Sequence, residues 1–253
     1  MKLHELDAHL RELLRLDEYE RTDVSWNGVQ IECSDKEIRR VAVAVDAAAE
    51  TVARAADWNA DLLFVHHGLF WGRAQRVTGI HYRRLQSFLA NDIGLYAVHL
   101  PLDAHETLGN NAVMAAKLGL EDRRPFGDYK GATIGWAGKL PEPMTTEEVA
   151  RALFGTTDDL LGLLPFGPEK NRWVGIISGG APREVAQAID EGLDLFLTGD
   201  ASHEVYHHCL EAGINSMFGG HYRTETWGVR AVAGYLSDEL GLETTFIDVP
   251  TGL

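Results

Sequence analysis

Residues 41–67, VAVAVDAAAETVARAADWNADLLFVHH, decide the fold. Residues 41–45 form an unbroken apolar run, residues 47–58 are rich in helix formers, and residues 62–65 are a second apolar run. Strands that do not alternate are buried on both faces, and strands joined through a helix run parallel, so the segment predicts a βαβ unit. Outward from it, residues 83–90 read as a helix, 95–98 as a third strand and 111–118 as another helix. Towards the N-terminus, residues 3–16 carry apolar side chains at helical spacing, and residues 26–32, with Asn27-Gly28 as a turn signal, read as a short loop or strand.

The middle breaks this rhythm. Residues 130–139, KGATIGWAGK, alternate in the manner of an antiparallel strand, and Thr145 with Glu148 forms a capping pattern ahead of a helix through residue 154. The first pattern then returns. Residues 174–177, 195–197 and 214–218 are apolar strands, and residues 182–191, 203–211 and 226–240 read as helices. DLLFVHHG at 61–68 falls on DLFLTGDA at 194–201, and VHLPLD at 98–103 falls on GGHYRTE at 219–225. In both turns an acid follows a histidine by four positions, His99 to Asp103 and His221 to Glu225. The expected architecture is two interlinked, related α/β halves with mostly parallel or mixed sheets, residues 1–124 and 125–253, the C-terminal helix and strand able to pack back on the first half, with polar residues where strand ends converge.

Composition bounds the function. The net charge of -15 opposes non-specific nucleic-acid binding, which depends on Lys and Arg neutralising phosphates. No apolar run reaches the roughly 18 residues of a membrane span, and MKLHELDAHL is not a signal peptide. Two cysteines, Cys33 and Cys209, do not make a disulfide framework and fit a reducing cytoplasm.

The chemistry lies at the predicted strand ends. His66 and His67 end an apolar strand, where adjacent imidazoles are costly unless hydrogen-bonded or metal-bound. Asp103, His221 and Glu225 lie at two further strand-to-helix turns. Imidazole with carboxylate suits zinc, iron, manganese or nickel, and a bridging carboxylate can hold two such ions. Each acid alone is equally well a helix cap. Asp46, ending the first strand, can orient a ligand histidine or cap the next helix. Arg73, Arg76, Arg83 and Arg84 form the one dense basic cluster, fit either for an anionic ligand or for a solvated face; Phe70, Trp71 and Tyr222 can stack a base or pack a subunit contact. His99 and His105 read as structural or as proton relays. His203, Glu204 and His207 match the zinc-protease pattern H-E-x-x-H, a third and weaker reading that leaves His66 and His67 unexplained.

SWNGVQIE (25–32), LLFVHHGLFW (62–71), YAVHLPLDAHETLGNN (96–111), LFLTGDASHE (195–204) and GGHYRTETWGVRA (219–231) occur in this order. Together they resemble the dinuclear-metal family of GTP cyclohydrolase I type 2 homologues, also called Ngg-one-interacting-factor-three-like proteins. The resemblance runs to the closing FIDVP and matches the short members without an inserted domain. It implies that His67 and Asp103 hold one divalent ion, His66 and His221 the other, and that Glu225 bridges them. Tyr222 stands where similar proteins can carry a second histidine. It further implies a homohexamer, a trimer of dimers, and a metal-dependent hydrolase opening the ring of a nucleotide-like substrate, with Arg73 or Arg76 on its phosphates. The other reading is a non-catalytic metal-binding or regulatory assembly.

Overall fold

The computed structural model describes residues 1–253. In chain order its regular elements are α1 (Leu3–Leu13), β1 (Gly28–Ile31), β2 (Arg40–Asp46), α2 (Ala49–Asp57), β3 (Leu62–His67), α3 (Gly79–Ala90), β4 (Gly94–Ala97), α4 (Leu100–Ala104) and α5 (Asn110–Lys117). There follow β5 (Glu121–Tyr129), β6 (Ala132–Met144), α6 (Thr146–Phe154), β7 (Gly162–Pro165), β8 (Asn171–Ile176), α7 (Val185–Asp190), β9 (Leu195–Thr198), α8 (Val205–Ala212), β10 (Asn215–Phe218), α9 (His221–Leu240) and β11 (Glu243–Phe246). The chain forms two compact units, one of Met1–Leu102 with Gly228–Val249, the other of Asp103–Trp227 with Pro250–Leu253.

The first unit holds a five-stranded sheet in the order β1-β4-β3-β2-β11. β11, β2, β3 and β4 run parallel, and β1 closes one edge antiparallel to β4. The apolar runs that decide the fold are its centre: Val41 to Val45 and Leu62 to Val65 are buried on both faces. Val52 and Ala55 of α2 and Phe88 of α3 cover that sheet in one core cluster. α3 starts earlier than the apolar pattern implies, at Gly79, and Phe88 is its one fully covered side chain.

The second unit holds a six-stranded sheet, β5-β6-β8-β9-β10-β7. β8, β9 and β10 are parallel, whereas β5, β6 and β7 enter antiparallel. The expected repeat is present as topology. Each unit winds three parallel strands in consecutive order, and each lays a short antiparallel strand, β1 or β7, against the third. α6 opens with the anticipated capping box: Thr145 Oγ1 accepts from Glu148 N at 3.2 Å, and Thr145 N donates to Glu148 Oε2 at 2.7 Å.

Two helix starts differ from the sequence pattern, with consequences for the site. α9 begins at His221 instead of near residue 226, so His221 and Glu225 are one turn apart on one helical face. α8 begins only at Val205, so His203 precedes the helix and cannot form the i, i+4 pair that a zinc-protease helix requires with His207. Glu204 pairs instead with Arg183. No helix is long and apolar enough to cross a membrane.

Candidate metal centre

The first unit gathers histidines at the carboxyl end of β3. His66 is fully buried with Nδ1 2.9 Å from the Val98 carbonyl oxygen. His67 is half-buried with Nδ1 3.0 Å from Asp46 Oδ1. Asp46 and His67 are register partners on parallel strands, so the sheet itself sets the acid beside the ring. His99, just past β4, has Nδ1 2.9 Å from Asp23 Oδ1. A carbonyl or ionised carboxylate only accepts, so each neutral ring carries its hydrogen on Nδ1 and its lone pair on Nε2. That is the tautomer of a metal ligand held by an outer acceptor. The rings of His66 and His67 are 4.7 Å apart, and that of His99 is 5.1 and 5.7 Å from them. The ligand-capable atoms of the three lie within 4.8 Å of one another. Trp71 meets His99 edge-on at 5.0 Å.

Asp23 holds this cluster from below and is absent from any local sequence pattern. Its side chain is fully buried. Oδ1 accepts from Ser25 N and faces His99 Nδ1, while Oδ2 accepts from Asn27 Nδ2 and Leu100 N, each at 2.9 Å. Burial alone would raise its pKa, but the bonds from His99, Asn27 and Ser25 hold it below the ordinary carboxylate range.

In the second unit, His221 Nδ1 lies 3.1 Å from Asp200 Oδ1 and His221 Nε2 lies 3.1 Å from Glu225 Oε1. Glu225 is buried, as is Asp103, whose Oδ1 accepts from Asn110 Nδ2 at 2.9 Å and from Ser178 Oγ at 2.8 Å. The Ser178-Gly179-Gly180 loop lies against the helix start. Gly179 has φ +65, and a Cβ there would come 2.2 Å from Glu225 Oε1 and 3.2 Å from His221 Nε2. Burial disfavours the charged His221 ring, but Glu225 and Asp200 outweigh it and push its pKa up to about 9. In the metal-free chain, then, a proton holds two candidate ligands together. The stability this proton contributes is full below about pH 6.5 and is lost as pH rises through about 9. NMR titration of metal-free protein should give a His221 midpoint well above 7, falling in Glu225→Gln; an unchanged midpoint in that variant would refute the pairing.

His105 is oriented the opposite way. Its Nδ1 accepts from Thr107 N at 3.2 Å and Leu108 N at 3.0 Å, so its hydrogen sits on Nε2, which makes it a hydrogen-bond donor and not a metal ligand in this geometry. Arg73 and Arg76 lie in an exposed segment between β3 and α3, outside the histidine cluster. His66, His67, Asp103, His221 and Glu225, together with His99, each belong to a group of side chains able to hold a metal ion.

Parallel strands with histidines at their carboxyl ends make this an α/β protein with groups of side chains able to hold a metal ion. The chain belongs to the Duf34/NIF3 (NGG1p interacting factor 3) family, whose model matches residues 1–252. It is 44% identical to the GTP cyclohydrolase 1 type 2 homolog of Deinococcus radiodurans, over 98% of this chain and 94% of that one. It is 43% identical, over the whole of both chains, to the protein of the same name from Archaeoglobus fulgidus. The crystal structure of TTHA1606 from Thermus thermophilus superposes with a TM-score of 0.91 at 37% identity, covering 100% of each chain.

Proposed function

We propose that the chain is a two-metal protein of the hydrolase type, acting on a small nucleotide-like substrate. Two divalent ions, drawn from zinc, iron, manganese and nickel, are held by His66, His67, Asp103, His221 and Glu225. The observation that carries this reading is the common orientation of His66, His67 and His221. Each turns Nδ1 to a protein oxygen, the orientation that presents Nε2 to a metal once the ring is neutral; in His221 that atom already meets Glu225. Asp103 Oδ1 accepts from Asn110 Nδ2 and Ser178 Oγ, so two neutral donors fix the orientation of its carboxyl group. Bound ions of this kind polarise a substrate and make water nucleophilic at neutral pH. The protein's own residues fix the geometry: Asp46 and Asp200 lock two rings, and Ser178 and Asn110 lock Asp103.

The names of the relatives, GTP cyclohydrolase 1 type 2 homolog, support a nucleotide-like substrate. Self-association as a homohexamer in the cytoplasm completes the reading. Val77, Ile80, Tyr82 and Leu89, on or just before α3, are exposed apolar side chains of the kind a subunit contact covers, and both cysteines are free. The test is elemental analysis of chelator-free, anaerobically purified protein, followed by a hydrolysis screen over nucleotides. About two ions per chain with turnover is the expected result. Two ions with no turnover on any nucleotide would replace the hydrolase by a metal-binding assembly, and fewer than one ion would overturn the centre itself.

A further inference from the structure

The first unit contains a cavity of about 460 Å³, lined by Arg11, Glu20, Asp23, Ser25, Trp26 and Asn27 among others. That volume is in the range of small-molecule sites. One wall is an aromatic platform. Trp26 stacks on Phe70 with centroids 5.7 Å apart and planes 20° from parallel, yet 54% of the residue remains exposed. Its backbone is pinned, because Trp26 N donates to Phe70 O at 3.1 Å and Trp26 O accepts from Gln30 Nε2 at 2.8 Å. A tryptophan held from behind with an open side is prearranged to take a flat ring.

The polar lining says which kind of ring. Arg11 is committed to Asp7 and Asp17, so it does not bring an unbalanced positive charge. Asp23 is saturated by the His99 network. The remaining functions are the Glu20 carboxylate and Ser25 Oγ, a buried hydroxyl without a protein partner. Both can accept from N–H groups, and a carboxylate takes two adjacent N–H groups at once. The floor residues Asp23 and Asn27 also hold His99, through Nδ1 at 2.9 Å and the backbone N at 2.8 Å. A ligand here is therefore one residue removed from the histidine cluster.

We infer that this cavity binds a planar heteroaromatic ring with an edge of adjacent N–H donors, stacked on Trp26 and paired to Glu20. The site extends the reading of a nucleotide-like substrate and rests on it only for the choice of probe. It is built without the metal ligands, so metal-free protein tests it separately. Calorimetric titration of the full metal-free chain with guanosine should show saturable binding, weaker for inosine, which lacks the exocyclic amine. Trp26→Leu should weaken guanosine binding about 5- to 150-fold, the measured range for one stacked base. Glu20→Gln, at an exposed position, should erase the preference for guanosine over inosine. Binding that survives both substitutions overturns the inference, and so does no binding by wild type. A wild type that does not bind, with Trp26→Leu lowering the oligomeric state in light scattering, would assign this rim to a second copy of the chain instead.

Discussion

Gly179→Ala should leave the protein folded and unable to retain metal. Two effects operate at this position and they separate cleanly. The first is backbone strain: a side chain at φ +65 costs about 1–2 kcal/mol. The second is the clash, because the new Cβ would lie 2.2 Å from Glu225 Oε1. Glu225 can turn away from it, but it is buried on the helix that carries His221, and turning away breaks the 3.1 Å pairing between them. Metal content measured by elemental analysis should therefore fall as far as in Glu225→Ala, from about two ions per chain towards none. Gly192→Ala is the control. Its φ is +67 and nothing lies within 4 Å of the new Cβ, so it carries the strain without the clash. Equal metal loss in both alanine variants would mean that strain, not displacement of Glu225, is responsible. Full metal in Gly179→Ala would remove Glu225 from the centre.

Asp23→Ala should be strongly destabilising. It leaves Ser25 N, Leu100 N, Asn27 Nδ2 and the His99 ring without their acceptor beneath the floor of the cavity. A buried donor left without its acceptor costs about 1–3 kcal/mol, and with water from the cavity relieving part of the four losses a total of about 3–5 kcal/mol is expected. At this chain length 1 kcal/mol shifts the melting temperature by roughly 2–4 °C, so a loss of roughly 6–20 °C is expected in calorimetry. Asp23→Asn keeps one acceptor oxygen and should lose less. The charge gives a second signature. Because the carboxyl is held below its ordinary value of 3.8, its stabilisation is present above that pH and lost as pH falls further. The gap between wild type and Asp23→Asn should accordingly narrow in acid. A melting temperature within about 2 °C of wild type for the alanine variant would show that the network contributes nothing.

The sequence shows the sheet centres and hides their edges. Residues 41–45 and 62–65 read as strands because burial on both faces leaves no polar position in them. β5, with the sequence EDRRPFGDY, is exposed along most of its length, so nothing apolar marks it. β7 and β11 are four-residue edge strands and carry too few positions to show a period. The family and the α/β class were both legible, the first from motifs spread along the whole chain. Within the candidate centre, Asp46 could be anticipated as an orienting acid, since it ends the strand beside that of His67. Asp23 could not, because it is 76 positions from His99 and only tertiary folding joins them. Nor did the pattern indicate that α9 starts at His221. A Gly-Gly pair followed by a polar stretch reads as a turn, whereas the helix uses that stretch to place two candidate ligands on one face.

The pairing of β11 with β2 bears on how the molecule is made. β2 lies second from the edge of the first sheet, and its outer neighbour is supplied by residues 243–246. A ribosome that has finished residues 1–102 has produced four of the five strands but not the one that covers Val41 and Val43 from the open side. Until about 140 further residues emerge, β2 presents an unpaired apolar edge, the kind of surface that recruits chaperones or other nascent chains. The first sheet is therefore completed only when the far end of the chain has been made, so its last edge closes after synthesis of the second unit's strands.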